Sequence, residues 1–275
     1  MDTNSKTKTL LPRVLVGVGL GAAFIASLID PLLFAFLAAI AAMAGTWELS
    51  SALRHGGWTL NRWAAAYLTL PVIGFSFIEG ARGQWLSLLV VIAVLSIVTI
   101  VYHLFESKGT TRELLRNLSA GVFVMFYVPL SLSFAVLTVT AENGTNILFS
   151  VVLTVAAIDT FGYLIGRFFG RTKFAPGVSP KKTWEGFIAS VVGSLIAGIS
   201  CGVLLMDVSV ELAVLFSLAI LLAAVLGDLA ESLIKRDLGI KDMGDILPGH
   251  GGVMDRLDSM LPAAFMGYLF TLVFL

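Results

Sequence analysis

Acidic and basic side chains recur along LGDLAESLIKRD, residues 226–237, in a chain that is otherwise strongly apolar. Asp228, Glu231 and Lys235 stand at positions i, i+3 and i+7, so a helix would carry them on one face. At 1.5 Å per residue, Asp228 would lie about 10 Å deeper along that helix than Lys235. Two acids beside a cation at this spacing favour a site that binds a divalent ion or a phosphate group.

Glycines and two further acids follow in PGHGGVMDRLD, residues 248–258. Gly251 and Gly252 allow the backbone to approach a ligand closely and to adopt positive φ angles. Asp255 and Asp258 stand three residues apart at the start of the next apolar stretch. Carboxylates, cations and a glycine-rich turn together predict a Mg²⁺-assisted phosphate site, because Mg²⁺ prefers hard oxygen ligands. The alternative is a set of intramembrane salt bridges that tie helices together, but such bridges would not need the glycine turn.

A further acid, Asp159, lies in AAIDTFGYLIGRFFGRTKF, residues 156–174. It precedes Arg167 by eight residues and would lie roughly 12 Å inside the end of its helix. Glycines follow at spacings of three and four, which is also typical of a helix-packing seam with one hydrogen-bonded acid. An ionisable side chain at this depth favours a functional site, because burying it without a role is costly.

Two adjacent lysines stand in GVSPKKTWEG, residues 177–186. Ser179 and Pro180 predict a turn, after which Lys181 and Lys182 direct two ammonium groups at the membrane surface. Lysines beside a membrane span are often only a topology anchor. Because these two directly follow the acid-bearing helix, they favour a phosphate-binding loop.

The composition is that of a polytopic membrane protein. Of the 275 residues, 57% are hydrophobic and 13% are charged, which is too little charge for the surface of a soluble domain. Because lipid cannot satisfy backbone N–H and C=O groups, the long apolar runs should be helices. We therefore predict an all-α membrane protein with about nine spans. Their approximate ranges are 12–29, 32–53, 62–79, 85–105, 116–139, 147–169, 185–206, 210–234 and 259–275.

The positions of Lys and Arg predict the orientation of these spans. With a cytoplasmic N-terminus, Arg82 is the one member of the 18 Lys and Arg residues that falls outside, as the positive-inside rule requires. The two long polar loops, 170–184 and 235–258, are then cytoplasmic, and Leu275 lies on the periplasmic side. The first span is predicted to remain as an uncleaved anchor.

We divide the chain into two regions. Residues 1–150 are predicted to form an N-terminal transmembrane scaffold of about five helices, and residues 151–275 a catalytic region of about four helices with two cytoplasmic loops. Cys201 has no metal-ligand companion and is predicted to pack in the core. Gly17 and Gly21 are spaced for helix pairing, within the chain or between two copies of it.

The segment from residue 232 to residue 258 resembles the signature of the phosphatidate cytidylyltransferase family, the CDP-diacylglycerol synthases. Every position of that pattern is filled, and the resemblance extends over about residues 156–259, with WELS at 47–50 as a weaker echo. The matching positions are Ser232, Lys235, Arg236, Lys241, Asp242, His250, Gly251, Gly252, Asp255, Arg256 and Asp258.

The resemblance implies an enzyme that transfers the cytidylyl group of CTP to phosphatidate, which yields CDP-diacylglycerol and pyrophosphate. The lipid phosphate would attack the α-phosphorus of CTP in line with the leaving group, and it is already ionised, so it needs no strong base. By the same resemblance, Asp228 and Asp255 are ligands of Mg²⁺, with room for a second cation. Asp159, Glu231 and Asp258 are either further ligands or residues that orient the ligands.

The resemblance also gives roles to the other polar residues. Lysines and arginines are expected to contact phosphates, and His250 either binds phosphate or passes a proton to pyrophosphate. The predicted catalytic residues are Asp228, Asp255, Lys181, Lys182, Arg236 and His250. The predicted substrate-binding residues are Ser179, Lys235, Lys241, Asp242, Gly251, Gly252, Arg256 and Asp159.

Two alternative functions stay open from the sequence alone. The first is another CTP-dependent lipid enzyme of the same superfamily, of the CDP-archaeol synthase or polyprenol kinase type. The second is an ion or proton transporter, since intramembrane acids are also typical of transporters. The expected partners are CTP, phosphatidate, membrane lipids and a second copy of the chain, with no nucleic acid. We expect a bacterial inner-membrane protein whose active site faces the cytoplasm.

Overall fold

The computed structural model describes residues 16–106, 111–247 and 251–275, and these residues are almost entirely helical. The described part of the first helix, α1, is Val16–Ser27. The later helices are α2 Pro31–His55, α3 Arg62–Tyr67, α4 Thr69–Glu106, α5 Thr111–Met125, α6 Ser131–Thr140, α7 Gly144–Phe169, α8 Trp184–Leu205, α9 Val210–Asp237, α10 Met254–Leu257 and α11 Met260–Phe274. A π-helix, Phe126–Leu130, joins α5 to α6, and strands β1 Lys173–Ala175 and β2 Ser179–Thr183 pair antiparallel. The predicted all-α membrane fold is confirmed.

Within the described residues, seven helical segments are long and apolar enough to cross a membrane, so the chain is an integral membrane protein. Two predicted spans, 62–79 and 85–105, fall within one segment, Arg62–Phe105. That segment is interrupted at Gly80, whose φ of 64° and ψ of −147° only glycine adopts readily. The predicted first span, 12–29, overlaps the described part of α1, Val16–Ser27. The count of nine spans and the sides of the two termini stay predictions.

Local sequence signals explain where several helices begin. Asp30 caps α2 by accepting the N–H of Leu32 at 2.7 Å, and Pro31 follows at the position where a missing N–H has no cost. Thr183 caps α8 by accepting the N–H of Gly186 at 3.2 Å. The helix that follows the two lysines therefore has a well-defined first turn.

The chain divides into two compact units, each of which is described by itself. The N-terminal unit contains the described residues up to Val136 together with those of Leu238–Leu257. The C-terminal unit contains Leu137–Asp237 and Asp258–Leu275. Backbone contacts thus group the segment 238–257 with the N-terminal helices. The predicted regions, 1–150 and 151–275, concern function and stay a prediction.

In the C-terminal unit, α7, α8, α9 and α11 pack around a core that includes Phe216, Ile220 and Val151. Small residues bring α7 and α8 together: a Cβ on Gly166 would lie 3.5 Å from the Cα of Gly186. The glycines after Asp159 therefore do form the packing seam that the spacing allowed. Asp159 itself is exposed on α7.

Candidate active site

Five charged residues lie together in the C-terminal unit, and we call them the charge cluster: Lys182, Asp228, Glu231, Lys235 and Asp258. The Nζ of Lys182 lies 2.6 Å from the Oδ2 of Asp228, and the Nζ of Lys235 lies 2.5 Å from the Oε2 of Glu231. Asp258 interacts electrostatically with Asp228, and also with both lysines. Three carboxylates and two ammonium groups therefore share one region of the C-terminal unit.

A close approach of two helices places these residues. Gly227 lies directly against the backbone carbonyl of Asp258, and a Cβ at Gly227 would be 2.7 Å from the Cγ of Pro262. Only a glycine fits here, so α9 and the start of α11 meet without a side chain between them. The next residue on α9, Asp228, is thereby brought beside Asp258.

The two ion pairs of the cluster differ in exposure. The side chains of Lys182 and Asp228 are 26% and 30% exposed, so this pair is open to a ligand. The side chain of Glu231 is 0% exposed and that of Lys235 is 15% exposed. The more buried pair is one helical turn apart on α9, so it lies within one helix and is not one of the bridges between helices that the sequence also allowed. The shallower pair is the better candidate for contact with a substrate.

The lysine loop is a hairpin, which corrects the predicted turn. Ser179 and Pro180 lie in strand β2, and the turn is formed by residues 176–178. Pro176-Gly177 supplies the turn chemistry, and Pro180 is tolerated because a two-stranded hairpin leaves edge positions where no N–H is needed. Lys181 is exposed on this hairpin.

Two further contacts hold the hairpin in place within the C-terminal unit. Arg236, at the end of α9, donates from Nε to the carbonyl oxygen of Val178 at 3.2 Å. Phe174 of β1 stacks on Phe187 of α8 with ring centroids 5.3 Å apart. The predicted site residues Arg236, Lys181 and Lys182 are therefore linked through one short hairpin.

In the N-terminal unit, the glycine loop comprises the described residues from Met243 to Asp255. The Oδ2 of Asp255 accepts the backbone N–H groups of Met243 at 3.0 Å and of Gly252 at 2.9 Å. Gly251 has a φ of +81°, where glycine has no steric penalty, and its carbonyl accepts the N–H of Leu247 at 3.0 Å. The carboxylate of Asp255 thus closes the loop on itself.

The remaining predicted residues near this loop lie at its surface. Lys241, Asp242 and Arg256 are exposed. His250 lies outside the described residues, so its two predicted roles stay open. Ser232 is near the charge cluster instead, with its hydroxyl 3.4 Å from the Oδ1 of Asp228.

Glu48 is a residue of this region that the site prediction did not include. It lies on α2, its exposure is 1%, and its Oε2 accepts the N–H of Met254 at 2.9 Å. The sequence signal was an acid inside an apolar span, the same signal that singled out Asp159 and Asp228. WELS resembles the family pattern, but that resemblance gave Glu48 no role.

The placement of the oxygen donors limits how a metal could be held. Among the residues described, no group of three or more His, Cys, Asp or Glu side chains is arranged to hold a metal ion. In the C-terminal unit, the carboxylates of Asp228 and Asp258 lie close enough to repel each other electrostatically. Asp255, the other predicted ligand, belongs to the N-terminal unit and has two backbone N–H groups on one carboxylate oxygen.

Clustered carboxylates and lysines in the C-terminal unit, and a glycine loop closed by an acid in the N-terminal unit, are features typical of membrane enzymes that handle phosphate groups. Comparison with known proteins narrows this class. The chain belongs to the cytidylyltransferase family, whose sequence profile matches residues 11–274.

Three bacterial relatives, each named phosphatidate cytidylyltransferase, show how far the similarity extends. The Mycobacterium bovis protein is 34% identical over 286 residues, which cover 98% of this chain and 90% of the relative. The Haemophilus influenzae protein is 32% identical over 290 residues, or 98% of this chain and 99% of the relative. The Helicobacter pylori protein is 44% identical over 128 residues, or 46% and 48% of the two chains.

Proposed function

We propose that the charge cluster and the glycine loop serve cytidylyl transfer by in-line attack of the phosphatidate phosphate on the α-phosphorus of CTP. The chain is a nucleotidyltransferase that forms CDP-diacylglycerol from CTP and phosphatidate, as family membership and its full-length relatives support. The phosphate oxygen forms the new P–O bond while the bond to pyrophosphate breaks. Because both substrates are anions, the protein must neutralise and align two groups that repel each other.

The Lys182–Asp228 ion pair is the observation that carries the proposed site. Because this pair is partly exposed, water weakens its own attraction, so an ammonium group at this position can leave the carboxylate for a phosphate oxygen at small cost. The ions of a buried pair cannot exchange partners in this way, because an ion that leaves its partner has no water to solvate it. We therefore assign the first phosphate contact to Lys182 and a supporting role to Lys235 with Glu231.

Other cations are proposed to hold the remaining phosphate charge. Lys181 is exposed on the same hairpin as Lys182, and Arg236 fastens that hairpin to the end of α9. Arg236 would orient the lysines as well as bind phosphate. The further residues proposed to bind substrate are Ser179, Lys235, Lys241, Asp242, Gly251, Gly252, Arg256 and Asp159.

Mg²⁺ is the metal that the family resemblance implies, and the oxygen donors of the charge cluster fit it. Mg²⁺ commonly binds through one or two carboxylates and completes its shell with substrate phosphates and water. Asp228 and Asp258 supply such carboxylates. Both interact electrostatically with lysines, and these lysines would move from the carboxylates to a phosphate group when the substrate binds. When bound, the ion would offset charge on the triphosphate and on the leaving group. Asp255 as a ligand, Glu231 in support and a second cation stay proposals from the family pattern.

We propose that the site faces the cytoplasm of a bacterial inner membrane, where CTP is available. A cysteine placed near Gly80 or Asn143 should react with an impermeant maleimide from the periplasmic side. One placed at Pro176 or Gly244 should react only after the cytoplasmic side is opened. Labelling of Pro176→Cys from outside would contradict the orientation, because CTP would then be on the wrong side. Pairing of two copies through Gly17 and Gly21 is likewise a proposal.

A choice of acceptors tests the proposed substrate. Purified protein in detergent micelles is given labelled CTP with an ester phosphatidate, an ether-linked lipid phosphate or a polyprenol. The expected result is transfer to phosphatidate at a rate well above that for the other two acceptors. Faster transfer to the ether lipid or to the polyprenol would assign the chain to another branch of lipid metabolism.

A further inference from the structure

Glu48 is the most deeply buried acid of the N-terminal unit among the described residues. It lies 1% exposed on α2, and one carboxylate oxygen accepts the N–H of Met254 at 2.9 Å. The other oxygen, Oε1, is buried without a hydrogen-bond partner among the residues that the structure describes. The backbone of Val253 and of Ile246 also favours the charged form of this carboxylate, but taking the group from water still costs stability. The fold keeps it there, so the position calls for a specific role.

The glycine loop is shaped around this carboxylate. A Cβ on Gly252 would lie 2.5 Å from the Oε2 of Glu48, and a Cβ on Gly244 would lie 2.6 Å from its Cδ. Neither glycine has a positive φ, so backbone conformation does not demand glycine at these positions. The space that a side chain would need is filled by Glu48. Two of the loop glycines are therefore explained by close contact with one buried acid.

Glu48 and Asp255 hold the loop from two directions. Asp255 accepts N–H groups from Met243 and Gly252, which closes the loop on itself. Glu48 accepts the N–H of Met254, the residue next to Asp255, and so fastens the loop to α2. Since Asp255 cannot move without Met254, the position of the loop acid depends on a helix far away in the sequence.

We infer that Glu48 is a positioning residue, whose buried carboxylate fixes the glycine loop and thereby sets the position of Asp255 for cytidylyl transfer. The inference rests on the proposed function for its catalytic part, while the fixing of the loop stands independently. Glu48 touches no reacting atom in this account. Its effect on turnover passes through the backbone of Gly244, Gly252 and Met254.

Kinetic variants test the catalytic part. Glu48→Gln keeps the shape but replaces one charged acceptor, and it should lower kcat about tenfold. Gly252→Ala pushes against the same carboxylate from the loop side, and it should lower kcat about 100-fold, as expected for a misplacement of about 1 Å. The apparent KM for CTP should change less than about threefold in Glu48→Gln, because loop geometry acts in the transition state.

Matched controls separate these effects from general damage. Glu79→Gln makes the same chemical change at an exposed position of the same unit. Gly74→Ala adds a methyl group where no described atom lies within 4 Å. Both controls should keep kcat within about twofold of the parent enzyme.

A labelling experiment tests the fixing of the loop without any activity measurement. Met243 is 5% exposed within the loop, so a Met243→Cys side chain should react slowly with a maleimide. Adding Glu48→Gln or Glu48→Ala should raise its rate at least about tenfold, because the loop loses its attachment to α2. Native Cys201 is 4% exposed in the other unit and reports any loss of the whole fold.

The outcomes assign success or failure to one proposal at a time. Faster labelling at position 243 with unchanged labelling of Cys201 supports the inference. If the same protein shows no transfer from CTP, the proposed function fails but the fixing of the loop by Glu48 still stands. Unchanged labelling at position 243 overturns the inference. Equal acceleration at position 243 and at Cys201 also overturns it, since Glu48 would then stabilise the fold in general. A folded Glu48→Gln enzyme with the kcat of the Glu79→Gln control would remove the catalytic part.

Discussion

The charge cluster of the C-terminal unit and the glycine loop of the N-terminal unit both use carboxylates, but they satisfy them in different ways. In the cluster, Asp228 and Glu231 face ammonium groups at 2.6 and 2.5 Å. In the loop, Asp255 and Glu48 accept backbone N–H groups at 2.9 Å. One region pairs charge with charge, and the other pairs charge with the main chain.

This difference separates two tasks that an enzyme for anionic substrates must perform. An ammonium group on a flexible stem can leave its carboxylate for a phosphate, so the cluster is suited to binding. A carboxylate bonded to backbone N–H groups cannot change partners without changing the fold of its loop, so the loop is suited to holding geometry. The same residue type therefore serves exchange in one unit and rigidity in the other.

Replacing Asp228 in the charge cluster or Asp255 in the glycine loop should lower the rate of cytidylyl transfer most. Asp228→Asn and Asp255→Asn should each lower cytidylyl transfer at least about 100-fold, because each removes a negative charge proposed to hold the cation that in turn offsets the triphosphate. The double variant should be scarcely slower than either single variant, since both acids are proposed to serve one step. Rates with labelled CTP give the comparison, and Asp207→Asn and Asp30→Asn are exposed controls in the two units. Losses that multiply in the double variant would mean that the regions act in separate steps.

The two lysines of the hairpin should differ in how much their removal lowers the rate, because one of them belongs to the charge cluster. Lys182→Ala removes a charged contact worth about 1.5–3 kcal/mol, or about 10- to 150-fold in rate. Lys181→Ala should have a smaller effect, because Lys181 is more exposed and has no ion pair within the described residues. Arginine should rescue Lys182 only in part, since a planar group does not replace a compact ammonium. Equal and full activity of both alanine variants would make the lysines a topology anchor.

The deep ion pair should matter more for stability than for turnover. Glu231→Gln removes the carboxylate that lies 2.5 Å from the ammonium group of Lys235, and breaking a buried pair typically costs about 3–5 kcal/mol. We expect a clearly lower temperature of unfolding, which is measured by size-exclusion chromatography after heating. The turnover of the folded protein should stay within about tenfold of the parent. Glu211→Gln, exposed on the same helix, is the control. A stable variant with a 100-fold loss of turnover would place Glu231 among the groups that contact substrate or metal.

The sequence predicted most of the helices because their signals are local. Apolar runs of spanning length, the cap at Asp30 and the glycine seam of α7 can each be recognised from neighbouring residues. The predicted turn at Ser179 and Pro180 was wrong by three positions, since Pro176 and Gly177 offered equal turn chemistry nearby. Short-range signals indicate that a turn exists more reliably than where it falls.

The contact of Glu48 with Met254 shows what such signals cannot supply. These residues are 206 positions apart, and neither the spacing of acids nor the glycines near Met254 indicates their partner. The sequence shows only that glycines stand at 244 and 252, and packing is needed to show that a carboxylate from α2 fills the space beside them. The pairing of Lys182 with Asp228 was similarly out of reach, although both residues were predicted for the site.

The chemistry of the transferred group is the most direct test of the account. Purified protein, phosphatidate micelles and Mg²⁺ are incubated with CTP labelled either at the α- or at the γ-phosphate, and the lipid phase is counted. We expect α-label to enter the lipid as CDP-diacylglycerol and γ-label to leave as pyrophosphate, and we expect EDTA to stop both until Mg²⁺ is restored. Appearance of γ-label in the lipid would show phosphoryl rather than cytidylyl transfer. Absence of both labels from the lipid phase of a folded, Mg²⁺-supplied protein would contradict the proposed reaction altogether.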